Sequence, residues 1–235
     1  KFVKAFGPPR QKTEPLLQYH KDLAASVQRV TEELIFHILK SLREKTGMKN
    51  VCIAGGVAQN SVANGKVAAA TGFEGVYIPS AGHDAGIAMG SALYFYNHIL
   101  NQPRGKPVYN AYTGIKFSNN EIEKILKERK IEYRLLPDEE LYEIVTEKLI
   151  EPGVVGWFNG RAEFGPRALG ARSILADPRN AKAKDLLNAK IKRRESFRPF
   201  APSILKEYIS EYFTKNDEVP FMEKVFPIKP EKQKE

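Results

Sequence analysis

The feature that most limits how this chain can fold is the run from residue 51 to residue 98. A short apolar stretch, Val51-Cys52-Ile53-Ala54, meets the turn Gly55-Gly56, and helical periodicity follows over roughly 60–70 until Gly72 ends it. A second apolar stretch, Val76-Tyr77-Ile78, leads into Pro79-Ser80-Ala81-Gly82-His83-Asp84-Ala85-Gly86. A small-residue helix is then expected from Ile87 to about His98. Strand, glycine turn, helix, strand, helix is the signature of an α/β unit with a largely parallel sheet. Upstream, Leu23, Val27, Val30, Leu34, Ile38 and Leu42 recur at three- and four-residue steps, with Ile35 and Leu39 beside them. This predicts an amphipathic helix over 21–45 with its stripe in the core, closed by Thr46-Gly47. His37 lies within it and reads as a packed or half-exposed side chain. The first seventeen residues, with Pro8, Pro9 and Pro15, read as an extended lead-in.

The second half changes character at 101–110, a Pro- and Gly-containing stretch that reads as a linker. Charged amphipathic segments follow: helices over 119–130 and 138–150, with Ile131–Leu135 alternating like a strand between them. A buried strand is expected at 153–158 and a helix at 180–191, and Pro199–Ile204 reads as a further strand. Order is expected to fall beyond Lys215, and the tail from Lys229 is expected to be mobile.

Chemistry concentrates in Gly160-Arg161-Ala162-Glu163-Phe164-Gly165-Pro166-Arg167-Ala168-Leu169-Gly170-Ala171-Arg172-Ser173, which follows the apolar run Val154–Phe158. Three arginines stand among glycines and a proline. The planar guanidinium grips phosphate and carboxylate by paired hydrogen bonds, and glycine lets backbone approach a ligand. Residues 161–198 hold eleven Lys and Arg against four Asp and Glu, a balance of +7 within a whole-chain net charge of +9. A solvated basic surface accounts for the charge equally well, but needs no Gly-Pro turn. Glu163 fits an arginine-orienting role better than a metal-holding one. The remaining totals exclude little: 42% hydrophobic and 28% charged residues are ordinary for a globular protein. A single cysteine, Cys52, allows no internal disulfide and fits a reducing, cytoplasmic setting. No apolar run is long enough for a membrane span. A pI near 9.4 suits anionic ligands, nucleic acid included.

These motifs carry a resemblance. The Gly160–Ser173 stretch, continued by Ile174-Leu175-Ala176-Asp177-Pro178-Arg179 and by Arg194-Glu195-Ser196-Phe197-Arg198-Pro199-Phe200-Ala201-Pro202-Ser203, resembles the carboxy-terminal domain of the nodulation and antibiotic O-carbamoyltransferases. Ala54-Gly55-Gly56-Val57-Ala58-Gln59-Asn60-Ser61 with Ala63-Asn64-Gly65 is similar to the nucleotide-binding signature of their amino-terminal, actin-like domain. The resemblance runs from about residue 18 to about 225 and implies a segment of a longer protein. It implies the end of an actin-like (ASKHA) ATPase α/β domain over 1–105 and a YrdC-like α/β domain over 106–235.

The activity implied is formation of carbamoyl-adenylate from carbamoyl phosphate and ATP, then carbamoyl transfer to the hydroxyl of a small-molecule acceptor. Asp84, Arg161, Arg167 and Arg172 would be the catalytic set. Gly55, Gly56, Val57, Asn60, Ser173, Arg194, Arg198 and Ser203 would bind nucleotide and phosphate. Asp84 would ligate a divalent metal, which the resemblance implies is a transition metal such as iron in the full-length protein, with Mg2+ on the ATP. The family pattern is Gly-Asp-Ala-Gly, whereas His83 here intervenes between Gly82 and Asp84, as an added ligand or as filler. No membrane partner is expected and a homodimer is compatible with the family. The rival reading is an RNA-binding or tRNA-modification-related YrdC-like module; the basic stretch lacks the interleaved surface aromatics that would stack on bases.

Overall fold

The computed structural model describes residues 1–11, 13–151 and 153–233. It is a mixed α/β structure with two small sheets. In chain order the elements are α1 (Phe2–Phe6), α2 (Gln18–Thr46), β1 (Asn50–Cys52), α3 (Ser61–Asn64), α4 (Val67–Thr71), β2 (Gly75–Tyr77), α5 (Gly86–Tyr94), α6 (Asn119–Glu128), α7 (Asp138–Ile150), β3 (Val154–Phe158), β4 (Arg172–Ala176), α8 (Ala183–Leu186) and α9 (Ile209–Tyr212). β1 pairs with β2 and β3 pairs with β4. Hydrogen bonds from the Glu74 amide to the Lys49 carbonyl and from the Ile53 amide to the Tyr77 carbonyl make the first pair parallel in sense. The second pair is antiparallel, with Val154 opposite Ala176 and Phe158 opposite Arg172. The expected parallel order therefore holds for β1 and β2 alone.

The chain forms two compact units. The first comprises Lys1–Val51 and Lys66–Val76. Here α2 ends on Gly47 in the left-handed conformation, as the Thr46-Gly47 signal predicted. It packs on α4, with Leu39, Val67, Thr71 and Phe73 buried. Lys66 Nζ donates to both carboxylate oxygens of the buried Glu32, at 2.8 and 2.7 Å. The expected core stripe is not the buried one. Val27, Val30, Leu34, Ile38 and Leu42 are exposed, Leu23 and Ile35 are half-buried, and of the expected stripe only its flanking Leu39 is covered, beside Glu32. The reason is length: α2 runs about 43 Å, and the five-residue α4 covers one side of part of it. His37 is exposed, and the lead-in holds the short helix α1.

The second unit comprises Cys52–Gly65 and Tyr77–Glu235. The single helix expected over 60–70 is broken between α3 and α4. Gly65 sits so close to the Val225 carbonyl that a side chain there would collide with it. The buried Asn64 side chain donates to the Ala58 and Glu223 carbonyls, at 2.8 Å each. The Val225 amide donates to the Ser61 carbonyl, and Phe221 is buried. The segment beyond Lys215 is thus packed on Ser61–Gly65 rather than losing order; of the tail expected to be mobile, Lys234 and Glu235 lie outside the described residues. Residues 101–110 are exposed and without helix or strand.

α6 and α7 fall where periodicity placed them, and α6 opens on a reciprocal cap between Ser118 and Glu121. Ile131–Leu135 is not a strand: Ile131 and Leu135 are both exposed, and alternation without a sheet face to bury it specifies nothing. Pro199–Ile204 likewise carries no strand. The helix expected over 180–191 is α8, continued by a wider π-helical turn over Leu187–Lys192.

Candidate functional site

β3 and β4 flank the arginine-rich loop, so the loop is the connection of an antiparallel pair. Gly160, Gly165 and Gly170 hold positive φ angles of 67°, 143° and 108°. Residues 111–116 brace one side of the loop. The Gly114 amide donates to the Ala162 carbonyl at 2.9 Å, the Ala162 amide to the Ile115 carbonyl at 2.9 Å, and the Phe164 amide to the Ala111 carbonyl at 2.7 Å. Tyr112 Oη donates to the Leu169 carbonyl at 2.7 Å.

Glu163 organises the interior of the loop. Its side chain is fully buried. Oε1 accepts from the amides of Leu169 at 2.6 Å, Ala171 at 2.7 Å and Arg172 at 3.3 Å. Oε2 accepts from Arg172 Nε at 2.8 Å, and Arg172 Nη2 donates to the Glu163 carbonyl at 2.8 Å. Burial alone would push this carboxyl up. The hydrogen bonds from Arg172 and the loop amides more than reverse that and hold it at about 2. Glu163 is therefore ionised at neutral pH, and it orients an arginine, the more favoured of its two expected roles.

The three loop arginines have different surroundings. Arg172 is engaged by Glu163. Arg161 Nη1 donates to the Gly114 carbonyl at 2.9 Å. Arg167 is half-buried, and no hydrogen bond or ion pair among the described residues holds its guanidinium. Ser173 Oγ accepts from the Gly170 amide at 2.9 Å, closing the loop where it enters β4.

Two contacts bring the other motif loops to this one. Gly55, at φ 106°, donates its amide to the Gly82 carbonyl at 2.6 Å. A Cβ on Gly165 would lie 2.5 Å from the Ser80 carbonyl oxygen and 3.0 Å from its carbon. The glycine turn after β1, the Ser80–Gly86 loop and the arginine loop therefore meet through backbone, and at Gly165 there is no room for a side chain.

Asp84 is exposed in the middle loop. It does not cap α5: Ala85 is the residue that precedes that helix, and no side chain caps it. Beside it, His83 Nδ1 is buried without a hydrogen-bond partner among the described residues. Gly56 and Val57 are exposed at the start of a 3-10 turn, and Asn60 Oδ1 accepts from the Ala63 amide at the start of α3. Among the described residues no three His, Cys, Asp or Glu side chains gather as a metal set. Asp84 alone supplies too few ligands for a divalent ion, so the residues present do not fit a metal by themselves.

A second cluster surrounds Asn188, which is 1% exposed. Its Nδ2 donates to the Ser196 and Arg198 carbonyls at 3.2 and 2.9 Å, and its Oδ1 accepts from Arg194 Nε at 2.7 Å. Arg194 also lies over the Phe200 ring, 4.7 Å from its centre. Arg198 pairs with Glu195 at 2.9 Å on the surface, and Ser203 is exposed beyond it. Sequence reasoning passed over Asn188 and Tyr112. An amide beside Leu186 and Leu187 in an apolar stripe is a signal that could have found the first; nothing marks the second. Shallow depressions lined by Ile131–Arg134, and by Lys40, Arg43, Glu44, Gly47 and Thr71, contain none of these residues.

Comparison with known proteins agrees with the motifs. Residues 1–93 match the family model of the carbamoyltransferase N-terminus, and residues 146–235 match that of the carbamoyltransferase C-terminus. The chain is 41% identical over 230 residues to nodulation protein NolNO of Sinorhizobium fredii, covering 95% of this chain and 34% of that protein. It is 39% identical over 224 residues to nodulation protein NolO of Bradyrhizobium diazoefficiens, covering 94% and 41%. It is 30% identical over 170 residues to the 3'-hydroxymethylcephem-O-carbamoyltransferase of Streptomyces clavuligerus, covering 72% and 31%. The chain thus spans about a third to two fifths of the length of these curated relatives. With sequence from both regions of the family in one polypeptide, the chain belongs to the carbamoyltransferases.

Proposed function

We propose that this chain supplies the anion-binding and junction elements of an ATP-dependent O-carbamoyltransferase. The observation that carries the reading is the meeting of three motif loops through Gly55, Gly82 and Gly165, with Arg167 in the third loop unengaged among the described residues. Residues 1–105 are read as the end of an actin-like domain and residues 106–235 as a YrdC-like domain.

In this reading carbamoyl phosphate loses inorganic phosphate to water, giving carbamate. A carbamate oxygen then displaces pyrophosphate from the α-phosphorus of ATP, giving carbamoyl-adenylate. Finally an acceptor hydroxyl attacks the carbamoyl carbon and AMP leaves. Such chemistry depends on positioning and on charge stabilisation. Arg167 neutralises phosphate charge. Arg161 and Arg172 border the same loop and set its field. Backbone around Gly55 and Gly56 approaches the nucleotide. The glycine junction at Gly165 and Ser80 gives the adenylate a short path between loops. Magnesium bound to ATP would offset phosphate charge; a transition metal at Asp84 requires ligands beyond this chain's own.

The test is 31P NMR of the chain with carbamoyl phosphate, with ATP and magnesium, and with both. Binding of each ligand, lost in Arg167→Ala, supports the reading, and pyrophosphate growing only in the mixture extends it to the chemistry. Binding of neither ligand, or equal binding by Arg167→Ala, overturns it.

A further inference from the structure

We propose that Glu163 is a positioning residue that acts as a built-in anion: it fills the amide nest of the arginine loop, immobilises Arg172, and thereby leaves Arg167 as the guanidinium that meets the ligand. The inference rests on the anion-binding reading above and specifies which group does the binding.

The geometry separates two roles that the sequence merges. Successive backbone amides turned inward make a concavity that binds phosphate or carboxylate. Here the amides of Leu169, Ala171 and Arg172 converge on Glu163 Oε1, and the guanidinium of Arg172 closes on Oε2. The nest is occupied by the chain's own carboxylate, fully buried, so an external phosphate has no room there. Arg161 is tied to the Gly114 carbonyl. Arg167 lies in the same loop, two residues after Gly165, where the backbone touches the Ser80 carbonyl. The loop's three cations thus divide into one used internally, one tied to backbone, and one with no partner among the described residues.

The sign of one substitution distinguishes positioning from proximity. Glu163 is an anion beside a cationic loop. If it were a bystander, removing its charge would strengthen phosphate binding, because repulsion falls. If it positions the loop, removing its charge weakens binding although the net charge has become more favourable. Glu163→Gln keeps the volume and one acceptor oxygen but places an NH2 group where Arg172 and the amides need an acceptor.

The experiment is calorimetric titration of inorganic phosphate into the parent chain, Glu163→Gln and Glu163→Asp, with amide exchange recorded on the parent. The expected result is a fall in phosphate affinity of roughly tenfold or more in Glu163→Gln, partial recovery in Glu163→Asp, and slow exchange of the Leu169 and Ala171 amides in the parent. Tighter or unchanged binding by Glu163→Gln, or parent amides that exchange like those of an open loop, overturns the proposal. Should Glu163→Gln not fold, Glu163→Ala with added formate provides the second arm. Formate restoring protection of the same amides, where chloride does not, supports the built-in anion, and no restoration overturns it. If the parent binds no phosphate, the anion-binding reading and Arg167's role in it fail together, while the exchange and formate results still decide whether Glu163 organises the loop.

Discussion

Replacing Gly165 with alanine probes the junction of the motif loops, and Gly160→Ala is its internal control. Gly165 has φ 143°, a conformation L-residues rarely adopt, and its new Cβ would lie 2.5 Å from the Ser80 oxygen and 3.0 Å from the Ser80 carbon. The backbone conformation costs about 1–3 kcal/mol. Displacing a backbone carbonyl resembles overpacking a core, at about 1–3 kcal/mol more. Gly160, at φ 67°, has nothing within 4 Å of its Cβ position, so alanine there bears only the left-handed penalty of about 1 kcal/mol. The expected losses are therefore about 2–5 kcal/mol for Gly165→Ala and about 1 kcal/mol for Gly160→Ala. Urea unfolding followed by the fluorescence of Trp157, the chain's single tryptophan, measures both. Amide exchange in Ser80–Gly86 should accelerate in the Gly165 variant alone. Equal losses in the two variants, or undisturbed exchange in Ser80–Gly86, would refute the argued contact.

Three further outcomes follow from the same structure. Glu163 is held at about 2 against an ordinary value of 4.5, so its stabilisation, roughly 3 kcal/mol at most, is present above pH about 4.5 and lost as pH falls through about 2; the stability gap between parent and Glu163→Gln should close over that window in acid titrations. Asn188→Ala orphans Arg194 Nε and two carbonyls and should cost about 2–4 kcal/mol in urea unfolding, with the cation–π contact at Phe200 lost as well. Burial pushes the Glu223 carboxyl up, so its charged form is disfavoured in the fold; Glu223→Gln should be more stable than the parent at neutral pH, and that gain should start to shrink as the pH falls through the raised value and be gone only below the ordinary 4.5.

Local order was legible where a residue's own chemistry decides it. Gly47 and Gly72 end helices in the left-handed conformation, and Val154–Phe158 is a strand, although Gly156 and Phe158 are exposed where a buried strand is expected. Partner-dependent features were not legible. The α2 stripe has the right period, but period does not say which face finds a neighbour, and a short α4 finds the side of Glu32 and Leu39. High charge in the tail points to disorder, but the buried Phe221 and the Val225 amide dock it. At the site, the clustering of Arg161, Arg167 and Arg172 around one acid was visible. That Glu163 takes Arg172 for itself depends on three-dimensional closure of the loop, which residue types do not encode.

Amide hydrogen exchange with and without carbamoyl phosphate shows whether loops separated by some eighty residues form one anion site. Protection rising together in Ser80–Gly86 and in Glu163–Arg172, and abolished by Arg167→Ala, is the predicted result. Protection confined to the lysine-rich stretch from Lys182 to Lys192, fading with salt and indifferent to Arg167, would contradict it.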